Sequence, residues 1–150
     1  MKLAEALQLR SDLQKRIYQL QERLNQNATV QEGEKPAEDP VALLGELDSC
    51  IVQLEEMMER INRTNSQTVT AEGTLTALLA RRDCLKIKVE AYREFLRQAS
   101  SLGRRATRSE IKIMSTVSVQ DYQKQVDQLS ARLRQTDGAI QAANWTTELL

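Results

Sequence analysis

Residues 39–61 read DPVALLGELDSCIVQLEEMMERI, and this stretch decides the fold class. Leu44, Leu47, Ile51, Leu54, Met58 and Ile61 recur at alternating steps of three and four, the repeat of one face of an α-helix. Asp39 followed by Pro40 announces its start. The carboxylate can accept from the unpaired N–H groups of the first turn, and proline at the first helical position gives up a donor that has no partner there anyway. The spacing predicts a helix over residues 40–65.

The same rhythm continues on both sides. Leu3, Leu7, Leu13, Ile17, Leu20 and Leu24 mark a helix over 2–26. Leu75, Leu78, Leu85, Val89, Tyr92 and Leu96 mark one over 75–101, in which Arg82 occupies an expected apolar position. Val119, Tyr122, Val126, Leu129, Leu133 and Ile140 mark a fourth over 118–143, with Thr136 in register and Ser118 and Asp121 set as a capping box. Each such helix is about 37 Å long at 1.5 Å per residue and buries little alone, so it must lie against a neighbour. The expected fold is therefore all-α, one domain over residues 1–150. Its four long amphipathic helices form a bundle or paired helical hairpins, and a C-terminal tail spans 144–150. Aromatic residues are only 3% of the chain, so the core must be aliphatic.

The connections differ in composition. Residues 27–39 and 65–73 both carry Thr-Val followed by Glu-Gly, and each reads as a brief extended segment ending in a turn where Gly33 or Gly73 supplies a positive φ. The alternation Glu110, Ile111, Lys112, Ile113 predicts a half-buried strand, so a small antiparallel sheet is expected among the connections. Trp145, the single tryptophan, is expected to dock into a groove and anchor the tail, or to dock on a neighbouring subunit.

Composition narrows the function. The chain has no histidine, so it cannot by itself build a Ser-His-Asp or Cys-His centre, an imidazole zinc site or a Glu-x-x-His di-iron site. Cys50 and Cys84 stand far apart, inside helices, and read as small buried hydrophobes. No apolar run is long enough for a membrane span, and Glu5, Arg10 and Asp12 interrupt any signal-like start, so a cytoplasmic chain is expected.

The net charge is zero, but it is unevenly spread. Residues 32–59 carry nine acids against one base, and residues 81–112 carry ten bases against four acids. Opposite charge on consecutive helices favours their antiparallel pairing or contact between subunits. The Arg104, Arg105 and Arg108 cluster lacks interleaved aromatics, a helix-turn-helix and a phosphate cradle, which argues against nucleic acid as a partner. Glu55, Glu56 and Glu59 repeat half of the magnesium site of all-helical nucleotide pyrophosphohydrolases. Residues 80–83, Ala-Arg-Arg-Asp, place arginine where the second half would need a carboxylate. No metal or other cofactor is expected.

The strongest candidate for binding is the end of the second helix with the start of the third. Arg60, Asn62 and Asn65 lie close in sequence to the bend, and Arg82 and Asp83 lie two turns beyond it. A seam guanidinium must be satisfied by Asp83, Asn62, Asn65 or a ligand's anion. These five residues are expected to form either a polar network that fixes register or a binding pocket.

Across nearly the whole chain, in order, the phrases NATVQEGEKPAEDP, RINRTN, GTLTALLARRD, RSEIKIMSTV and AANWTTEL resemble the septicolysin-like family of small bacterial helical proteins. The resemblance implies a helical fold and, through the family label, a membrane-active toxin; it carries over no catalytic residue. Family members often have an acidic residue after Leu-Thr in the third helix, where this chain has Ala77. The residues themselves point to a non-enzymatic helical protein that self-associates through its long seams and binds a protein partner or small anion near Arg82. The Gln-rich helices and the absence of a Lys-rich apolar face argue against insertion.

Overall fold

A computed structural model describes residues 1–101 and 111–150. The fold is all-α, with four helices among the described residues: α1 (Leu3–Gln26), α2 (Pro40–Gln67), α3 (Leu75–Ser100) and α4 (Val119–Thr146). A two-stranded hairpin, β1 (Val69–Thr70) and β2 (Gly73–Thr74), joins α2 to α3. The described residues divide into two compact units, Met1–Val69 with Ala143–Leu150, and Thr70–Ala142.

In the first unit α1 and α2 run antiparallel, as their ion pairs show: Arg16 meets Glu46 and Arg23 meets Glu38. Leu20, Leu43 and Cys50 form the core between them, with Leu13, Ile17, Leu24 and Leu47 packed around it. Their connection is clasped rather than loose. Asn27 donates from Nδ2 to the Arg23 carbonyl at 2.8 Å and accepts the Glu38 N–H at 3.0 Å. Asp39 then caps α2 by accepting from the Val41 N–H at 3.0 Å. Gly33 has φ of 87°, the positive value its turn requires.

The tail belongs to this unit as an added strand-like segment. Leu3 N–H donates to the Thr147 carbonyl and Leu149 N–H to the Met1 carbonyl, both at 2.9 Å, around an antiparallel bridge between Lys2 and Glu148. Backbone pairing therefore does the anchoring expected of Trp145, which is 65% exposed. Helix α4 also continues to Thr146, three residues beyond its expected end, so Trp145 lies on its last turn.

In the second unit α3 and α4 are also antiparallel: Arg93 Nη2 donates to Ser130 Oγ at 3.1 Å, Arg82 lies 3.9 Å from Asp137, and Tyr92 and Phe95 meet the Tyr122 ring. Thr74 caps α3, accepting from Ala77 N–H at 3.2 Å, and Ser118 Oγ accepts from Asp121 N–H at 3.4 Å at the head of α4. The buried residues Leu75, Leu78, Leu85, Val89 and Leu96 of α3, and Val126 and Ile140 of α4, are those the repeat marks.

Three expectations need correction. Residues 111–113 form no strand and are exposed, since a four-residue alternation sets a face but supplies no backbone pairing of its own; Glu110, Gly103 and the Arg104, Arg105, Arg108 cluster lie outside the described residues. Among the described residues the sheet is limited to the 69–74 hairpin. Cys50 is buried as expected, but Cys84 is exposed on the outer side of α3.

The third correction concerns α2. Its buried row is Leu43, Cys50, Ile61 and Thr64, with Leu47, Leu54 and Met57 half-buried. Leu44, Ile51 and Met58 are 48%, 45% and 43% exposed. Two three-four rows run through this helix and share residues 47, 54 and 61, and α1 covers only one of them. Periodicity measures how wide an apolar stripe is, but not how much of it a neighbour covers.

The clasp gives the first unit an acid dependence. Hydrogen bonds from Arg23 hold the Glu38 carboxyl below its ordinary range, and those from Lys2 and the N-terminal amine do the same for Glu148. Both groups bind protons less readily folded than unfolded, so their contribution is present above the ordinary carboxylate range and is lost as pH falls through the lowered values. Thermal unfolding followed from neutral to acid pH is expected to show a shallower loss of stability in Glu38→Gln than in the parent chain.

Candidate functional site

The five residues expected to form one site divide between the two units, and each set has its own chemistry. In the first unit, Arg60 donates from Nε to the Leu150 carbonyl at 2.9 Å. Thr64, one turn on and fully buried, donates to the Arg60 carbonyl at 2.8 Å and accepts the Leu150 N–H at 3.0 Å. The end of α2 thus receives the end of the tail. Asn62 is exposed and Asn65 half-buried, while neighbouring Arg63 pairs with Glu59 at 2.5 Å. Thr64 falls in register with Cys50 and Ile61, where a hydroxyl on an apolar row signals a specific hydrogen-bonding task.

In the second unit, the Arg82 side chain is only 24% exposed and is satisfied by carboxylates: Nε donates to Asp83 Oδ1 at 3.2 Å and Nη1 lies 3.9 Å from Asp137 Oδ1. Asp137 is the member that sequence reading missed, since it sits on another helix beside the in-register Thr136. One guanidinium between two carboxylates leaves a formal charge of minus one. An approaching anion therefore gains nothing from Arg82 unless a carboxylate lets go. Arg81 works differently: it pairs with Glu72 at 3.2 Å and so ties the hairpin turn to the first turns of α3.

Replacing Arg82 tests which role dominates. If the guanidinium serves register alone, Arg82→Leu restores the apolar row and is expected to leave stability within about 1 kcal/mol of the parent or above it, since exchanging a half-buried ion pair for packed aliphatic surface is often neutral. Urea denaturation reads this directly.

The acidic face of α2 offers no assembled metal site. Glu55 and Glu56 are exposed, Glu59 is engaged by Arg63, and among the described residues no three carboxylates or thiols are grouped around a common point.

Among the described residues, apolar side chains are uncovered on α2 and along α3. On α2, Val41, Leu44, Ile51 and Met58 form an exposed row continuous with the buried one and interrupted by Asp48 and Glu55. In the second unit, Lys86, Ile87, Val89, Arg93 and Arg97 of α3 and Leu133 of α4 line an open groove of about 740 Å³, in which Ile87 is exposed and Val89 buried. Glu90 and Glu94 also reach it, and Arg97 pairs with Glu94 at 2.7 Å. Among the described residues no helix is long and apolar enough to cross a membrane.

Residues 10–149 match the family of unknown function DUF6847. The chain belongs to this family. A crystal structure described as that of a functionally unknown conserved protein from Corynebacterium diphtheriae is 40% identical, with alignment over 100% of this chain and 99% of that one and a TM-score of 0.92. No curated protein matches the chain. The Corynebacterium diphtheriae protein shares the fold over 99% of its length, and neither description states an activity.

Proposed function

We propose that this DUF6847 chain is a non-enzymatic, cytoplasmic helical protein whose work is recognition, beginning with self-association. The observation that carries this reading is the exposed row Leu44, Ile51 and Met58, which prolongs the core stripe of α2 out into solvent. Aliphatic residues repeated every seven positions on a long helix are the material of a helix-helix seam. Their exposure costs solubility unless a partner covers them.

The charge around the row favours protein over membrane. Asp48 and Glu55 lie within it and Glu59 beside it, and anionic lipid repels all three. This weighs against the membrane-active role that the septicolysin-like resemblance implies. The polar groups of Arg60 and Arg82, each already engaged inside the chain, support structural roles more than a small-anion pocket.

Sedimentation equilibrium through the micromolar range tests the reading. The expected result is a species at a multiple of the 17.1 kDa chain mass. Ile51→Asp is expected to shift it to the single-chain mass with helicity unchanged by circular dichroism. A parent chain that stays at the single mass throughout removes self-association.

A further inference from the structure

Taking self-association as its basis, we infer that the exposed row of α2 seats in the α3–α4 groove of a second copy of this chain, each copy giving its row and receiving the other's.

Charge decides which surfaces meet. The α2 row holds Asp48 and Glu55, with no base in the row and no ion pair formed by either among the described residues. Row against identical row would set these carboxylates against their own copies, a like-charge contact that costs binding. The groove offers Lys86, Arg93 and Arg97 against Glu90 and Glu94, a formal balance of plus one. Lys86 has no carboxylate within ion-pair reach among the described residues. The groove's apolar lining matches the row in kind: exposed Ile87 and half-buried Leu133 are aliphatic, as are Leu44 and Ile51. A closed pair with two-fold symmetry makes this contact twice, which is how such dimers satisfy two unlike patches at once.

The test uses two singly substituted full-length chains, Ile51→Cys and Ile87→Cys, mixed in equal amounts and oxidised with diamide. Each cross-link joins two thiols into one disulfide, their two electrons and two protons reducing the diazene to its hydrazine. The natural Cys84, exposed on α3 three residues before Ile87, is a second legitimate acceptor. Peptide mapping is expected to find residue 51 joined to residue 87 or 84 between copies. Independently, Asp48→Lys with Glu55→Lys is expected to weaken association at least tenfold, and mixing that variant with Lys86→Glu, Arg97→Glu is expected to restore a heterodimer. A dimer cross-linked 51 to 51, or one that forms no 51–87 or 51–84 link and is indifferent to both charge sets, overturns this inference while self-association stands. A single-chain mass at every concentration overturns both.

Discussion

Leu43→Ala is expected to destabilise the chain by about 2–5 kcal/mol, whereas Leu44→Ala, its neighbour, costs less than about 1 kcal/mol in the isolated chain. Leu43 is 4% exposed and sits in the cluster with Leu20 and Cys50, so truncating it loses the transfer of three buried carbons and leaves a cavity that two helices cannot easily close. Leu44 lies outside the cluster with α1, and about half of its surface is already in water. Urea denaturation at a concentration below association separates the two. The reversed order, with Leu44 the costly one, would mean that the exposed and buried rows of α2 have been exchanged. The same Leu44→Ala substitution has a second expected effect, a weaker self-association, which Leu43→Ala shares only through loss of folded protein.

Thr64→Val is expected to cost about 1–3 kcal/mol, although the two side chains have nearly the same volume. The Thr64 hydroxyl lies fully buried between α2 and the tail; without it the Leu150 N–H loses its acceptor while staying partly shielded from water. The loss should appear locally as well as globally. Hydrogen exchange at Leu150, and at Leu149, whose N–H is held by the Met1 carbonyl, is expected to speed up more than exchange in the middle of α1 or α2. Thr76→Val, at an exposed position on the first turn of α3, serves as the control and should change stability by less than about 0.5 kcal/mol. Equal effects at both positions would show that the tail is not latched through Thr64.

These substitutions also mark where sequence reading reaches its limit. The four helices were legible because three-four repeats persist over more than five turns and because Asp39 and Ser118 stand at helix starts where unpaired N–H groups need acceptors. Gly73 was legible for a different reason: at φ of 124° only glycine is free of strain. The Arg82 exception was visible as a charge on an apolar row, and so was its neighbour Asp83. Asp137 was not visible, because its link to Arg82 spans two helices and no local spacing encodes a contact across 55 residues. The tail was misread for the same kind of reason. A large indole looks like an anchor, but backbone groups at Leu3, Thr147 and Leu149 do the holding, and backbone groups look alike in every sequence.

Local chemistry alone, then, determined that this chain is helical, where each helix begins, and which rows are apolar: side-chain period and end-capping act within a few residues and need no neighbour. Tertiary structure decided which of two apolar rows on α2 is buried, which carboxylates answer Arg82, and that Cys84 faces outward. Those outcomes depend on which helix lies alongside, and a repeat along one helix carries no record of its neighbour's position.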